Sequence, residues 1–155
     1  MTEAIIQADL QRELLRLTST FSSGDVVINN WDILDQGNAK APYVNIETSD
    51  TFEATMLQSQ WGITWNIPFT LIEKFTDWDT TRGLVATHRQ LLLTGLMDVD
   101  HYNDSSALLA YGIGEIRGTG EVPIYDRYPE KDSEAIPVFL GYRMIITVHE
   151  IRRSA

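Results

Sequence analysis

From Trp61 to Leu71 every odd position is apolar (Trp61, Ile63, Trp65, Ile67, Phe69, Leu71), while the even positions read Gly62, Thr64, Asn66, Pro68 and Thr70. A two-residue period marks a strand with one buried face, because successive strand side chains point to opposite sides. At about 3.3 Å per residue the run would extend roughly 35 Å, nearly twice a common strand. So long a ribbon suits an extended sheet better than a compact pocket. The period returns near the end of the chain. There Val138, Leu140, Tyr142, Met144, Ile146 and Val148 alternate with Phe139, Gly141, Arg143, Ile145, Thr147 and His149, and the even set is the better core face. Pro68 removes a ladder donor midway along the first run, which predicts an edge strand or a bulge. An edge invites pairing by a neighbour, although proline there also serves to prevent it.

A different period governs residues 2 to 21. Ile6, Leu10, Leu14, Leu17 and Phe21 recur three or four apart, with Thr2 placed to cap an amphipathic helix and Phe21-Ser22-Ser23-Gly24 to end it. Asp25 to Ile28 and Pro42 to Glu47 read as short strands, and Phe52 to Gln60 as a strand entering a hairpin before Trp61. The long strand should end near Phe75. Asp77 or Asp79 can then cap a second helix from about Thr80 to Met97, with Leu84, His88, Leu91 and Gly95 on one stripe and Val85, Leu92 and Leu96 widening it. Residues 98 to 136 are rich in Gly, Asp, Asn and Ser, with short strands possible at Leu108 to Ile116 and Val122 to Tyr128.

This order predicts an α+β fold, a mixed and mainly antiparallel sheet with two main helices packed on one face. The expected organisation is one domain over residues 1 to 155, with an extended acidic loop or hairpin region at about 98 to 136. No internal repeat or linker divides it. Few strong apolar patterns anchor residues 98 to 134, so ordering on docking is an expectation for that segment.

Composition narrows the classes. The 155 residues lack cysteine, which excludes disulfides, thiol nucleophiles and thiolate metal sites. The start, MTEAIIQADLQRELL, is unlike a signal peptide, and no apolar stretch reaches membrane-spanning length. Twelve basic and 22 acidic residues give a net charge of −10, which disfavours non-specific binding to nucleic acid or anionic lipid. The charge is uneven. Nine acids fall between Asp98 and Glu134, whereas Arg143, Arg152 and Arg153 face Glu150 alone in the tail. Such a split can place unlike surfaces together in an oligomer, and an ordinary solvated loop also accounts for it.

Reactive constellations fail on spacing. Asp98 to Asp104 begins like a calcium loop, but Asn103 stands where an EF-hand needs Gly and Leu109 where it needs a bidentate acid. Gly112, Gly114, Gly118 and Gly120 echo a dinucleotide loop, yet the third glycine arrives one residue late and Glu115 and Glu121 would repel phosphate; turns or bulges explain them. His88, His101 and His149 lack zinc-ligand spacing, and His149-Glu150 is followed by Arg153 where a metalloprotease motif needs His. His88, on the apolar stripe, reads as a core or interface histidine with its ring hydrogen-bonded. No Gly-x-Ser-x-Gly elbow occurs. Trp61 and Trp65 share a face with Ile63 and Ile67, which favours core packing. Tyr125 and Tyr128 are the better contact candidates.

The N-terminal helix, Ala41-Pro-Tyr-Val-Asn-Ile-Glu47, the strand ending Pro68-Phe-Thr-Leu-Ile72, the helix Thr80 to Met97 and the closing Phe139-Leu-Gly-Tyr-Arg-Met-Ile-Ile-Thr-Val148 together resemble tail terminator proteins of long-tailed bacteriophages. The resemblance spans most of the chain as an order of elements; its local motifs are a Pro-Tyr-Val strand entry and a Leu-Gly-Tyr-Arg final strand. It implies a structural virion protein without catalytic residues, metal or cofactor. Such a subunit forms a hexameric ring, caps the tail tube and joins it to the head connector protein, in the virion neck and, during assembly, in the host cytoplasm. Its partners would be further copies, the tail tube protein and the connector, with DNA crossing the lumen without specific binding and no membrane role. Interface candidates by composition are Pro68 for the edge, Tyr125, Asp126, Arg127 and Tyr128 for the extended loop, and Arg143, Arg152 and Arg153 for the basic side. Two alternatives stand beside this reading. One is a head-completion or connector protein of the same neck region, and the other a small-ligand-binding or hydrolytic α+β domain using residues 98 to 128.

Overall fold

A computed structural model describes residues 2–17, 21, 25–30, 42–58, 60–99, 110–125 and 136–153. Along them run α1 (Thr2–Leu17), β1 (Val26–Ile28), β2 (Tyr43–Ile46), β3 (Thr51–Leu57), β4 (Gln60–Lys74), α2 (Trp78–Met97), β5 (Ala110–Ile124) and β6 (Phe139–Arg153). The strands form one sheet in the order β1-β2-β4-β6-β5, with β3 also pairing β4. β1 lies parallel to β2 and every other pair is antiparallel. This is the mixed α+β architecture that the periodicities predict.

Both helices cover one face. Ile6, Leu10 and Leu14 of α1 and Val85, Leu92 and Leu96 of α2 join a single core with Ile67, Phe69 and Leu71 of β4 and Leu140, Met144, Ile146 and Val148 of β6. These are the odd set of one long strand and the even set of the other, as expected. The opposite face carries a smaller cluster of Tyr43, Ile72 and Phe139, with Ile124 against it. Asp77 caps α2 by accepting a 2.8 Å hydrogen bond from the amide of Thr80, and Thr80's amide holds its carboxyl below the ordinary value. The helix therefore starts two residues earlier than predicted. Its buried stripe is Thr81, Val85, Leu92, Gly95 and Leu96, whereas Leu84 and Leu91, expected inside, are exposed.

Three further expectations are corrected. β4 is an inner strand, paired with β6 along its whole length and with β2 and β3 in turn on its other side, and Pro68 is buried. It sits where β2 has ended and β3 has not begun, so its missing donor falls at a gap in the ladder. In place of two short strands, residues 110–124 form one strand. Its register shifts at Gly114 and again at Thr119, and each bulge moves the core-facing parity by one residue. Tyr111 and Ile113 face the core before the first bulge and Ile116 after it, a switch that hides the strand from a search for strict alternation. Trp61, expected in the core, is 43% exposed.

Candidate functional site

The β3–β4 hairpin extends the sheet past its helices. A 15-residue strand spans about 50 Å and the 20-residue α2 about 30 Å, so a helix laid along this face leaves strand ends open. Gln58 supplies a left-handed turn residue (φ 58°). Register then sets Phe52 opposite Trp65, Ala54 opposite Ile63 and Met56 opposite Trp61, all on the helix side. Phe52 is 66% and Met56 57% exposed. Phe52 packs on the Trp65 ring at 5.4 Å between centroids, and the Trp65 indole donates a 2.9 Å hydrogen bond to the buried carboxylate of Glu150. That second bond pins the base of the patch while its tip faces solvent. Among the described residues β3 also forms an outer edge, and Glu53 is its sole charged residue, so the strand lacks the lysines and prolines that usually blunt an edge.

At the other edge a groove of about 440 Å³ opens between the end of α2 and β5, lined by Leu93, Leu96, Met97, Val99, Ile113 and Ile116, with Gly114 and Glu115. Met97 is 71% exposed at its rim. The first bulge shapes the strand beside it, and a side chain at Gly114 would overlap the His149 ring. Further along, Arg82 of α2 forms a fork with Glu121 at 2.6 and 3.0 Å, which lowers the Glu121 carboxyl's pKa and ties the helix start to β5.

The face away from the helices is polar at one end. Asn66 donates to the Thr51 hydroxyl at 2.8 Å and accepts from the Thr147 hydroxyl at 3.1 Å, and the Thr64 hydroxyl lies 3.1 Å from Nδ1 of His149. Arg143 reaches Asp50 at 2.9 Å and Glu47 at 3.7 Å. Its charge is therefore met within the chain. His88 of α2 is hydrogen-bonded to Glu73 of β4, the ring bond expected for it, although the stripe it was assigned to is exposed at Leu84 and Leu91. Among the described residues no group of three or more His, Asp or Glu could hold a metal ion.

The interface candidates do not come together. Pro68 is interior, Arg143 lies on the polar face, and Tyr125 is half-buried just beyond β5. Arg152 and Arg153 end β6, in register with Trp61 and Gln60 at the hairpin end. Asp126, Arg127 and Tyr128 lie outside the described residues, as do Asp100 to Asp104. Sequence reasoning missed Phe52, Met56 and the open position of Trp61; the excess of strand length over helix length was the available signal. Comparison of the chain with protein-family models and with curated proteins found no match.

Proposed function

We propose that this chain is a structural subunit of a phage neck, a tail terminator that assembles into a ring, caps the tail tube and joins it to the head connector. The observation that carries the reading is the exposed apolar side of the hairpin, which runs from Phe52 near the start of β3 to Met56 and Trp61 beside the turn. Clustered apolar exposure of this kind belongs to protein contact surfaces. The order of elements resembles the terminator family, and the net charge of −10 suits a ring that lets DNA pass without holding it.

Light scattering over a concentration series, at low and moderate salt, should give a discrete mass near that of a hexamer, and the protein should stop the growth of purified tail tubes. A monomer that also leaves tube length unchanged removes the proposal. Binding to head connectors without any effect on tubes would assign the chain to head completion instead.

A further inference from the structure

We infer that the two apolar surfaces at opposite edges of the sheet are two halves of one contact, in which the hairpin end carrying Met56 and Trp61 seats in the α2–β5 groove of a second copy of this chain. The inference rests on the ring reading above and supplies the subunit contact that a ring requires. Because the two surfaces differ, the contact is head-to-tail, the type that repeats around a ring when its rotation closes.

Shape and chemistry match. The hairpin end projects aromatic and thioether side chains, and the groove is concave and lined by Leu93, Leu96, Met97 and Ile113. Its volume of about 440 Å³ is within the range of roughly 300–1,000 Å³ that encloses ring-bearing groups. Aromatic anchors buried in such pockets dominate protein contacts, and a rim methionine adapts to what enters. Charge points the same way. Glu115 lines the groove and Asp98 is exposed where α2 stops, while the hairpin tip from Met56 to Trp61 contains no charged residue. In a chain of net charge −10, seating an uncharged tip against that acidic rim joins two copies without setting like charges together.

Continuation of the sheet from β3 onto β5 is the competing geometry, and the β5 edge opposes it. Two register shifts and Pro123 interrupt that edge, so a partner strand meets no continuous ladder. Insertion of side chains needs none.

The absence of cysteine makes the test direct. Met56→Cys and Met97→Cys are prepared separately, mixed, and treated with a short bismaleimide. A cross-linked dimer should form in the mixture and in neither preparation alone, and a chain bearing both substitutions should give a ladder ending at the mass of the closed assembly. Met56→Ser and Met97→Glu should each lower the assembled fraction at least tenfold, with a melting temperature unchanged at dilutions where the parent is monomeric. Cross-linking of Met56→Cys to itself would establish a symmetric hairpin contact and overturn the inference, as would a protein that stays monomeric at every concentration. An oligomer that caps tubes without a 56-to-97 cross-link overturns this contact and keeps the terminator reading. A cross-linked oligomer that ignores tail tubes does the reverse.

Discussion

The carbonyl of Pro68 accepts a 2.8 Å hydrogen bond from the amide of Glu47, and the proline returns none. Residues opposed in this way in an antiparallel ladder normally exchange two bonds. Here the Glu47 carbonyl takes the buried side-chain amide of Gln7, at 2.8 Å, in place of the missing backbone donor. A side chain from α1 thus completes the ladder at the one step of β4 that cannot complete itself, and it ties the helix to the sheet.

Gln7→Ala should cost about 1–3 kcal/mol, the scale for a buried acceptor left without a donor. Urea unfolding of the single and double variants provides the check. In a Pro68→Ala background, where the backbone N–H is restored, the cost of Gln7→Ala should shrink. Equal costs in both backgrounds would show that Gln7 acts by packing alone.

Two glycines should respond in opposite directions to alanine. Gly120 has φ of +123°, a region L-residues rarely enter, so Gly120→Ala should destabilise by about 1–3 kcal/mol. Gly83 lies exposed inside α2 with open space where a Cβ would stand, so Gly83→Ala should stabilise by about 0.5–1 kcal/mol. Thermal melts of the two variants read both signs.

Burial pushes the Glu73 carboxyl above its ordinary value of 4.5, against the opposing effect of its bond to His88. The folded chain then holds this proton more tightly than the unfolded chain, so the group weakens stability as pH rises through its folded value. Glu73→Gln keeps the shape without the ionisation. Relative to the parent, the variant should gain stability as pH climbs above 4.5, and the difference should level off below it. A difference that stays flat across the titration would show that burial does not raise this carboxyl.

Phe52→Ser and Met56→Ser alter side chains more than half exposed, so in dilute solution each should change unfolding free energy by no more than about 0.5 kcal/mol. Chemical denaturation of dilute protein measures this. A larger loss would mean that the patch stabilises the single chain, and the effect of such variants on assembly would then need separate correction for folding.

The sequence by itself determined what depends on near neighbours. The two-residue alternation in β4 and β6 marks their faces, since a strand's side chains alternate whatever lies beside it. The spacing of Ile6, Leu10 and Leu14 does the same for α1, and the glycines after Ala110 are legible as bulge formers. Strand order was decided in three dimensions, because pairing is a choice among distant segments, and no local pattern states that β6 enters between β4 and β5. Pro68 reads as an edge residue until the gap between β2 and β3, and Gln7 some 60 positions away, satisfy its ladder position. Trp61 follows the alternation of a buried face, yet burial also requires a covering layer, and the helices are shorter than the strand beneath them. That mismatch leaves the hairpin's aromatic end in solvent, where a second molecule can reach it.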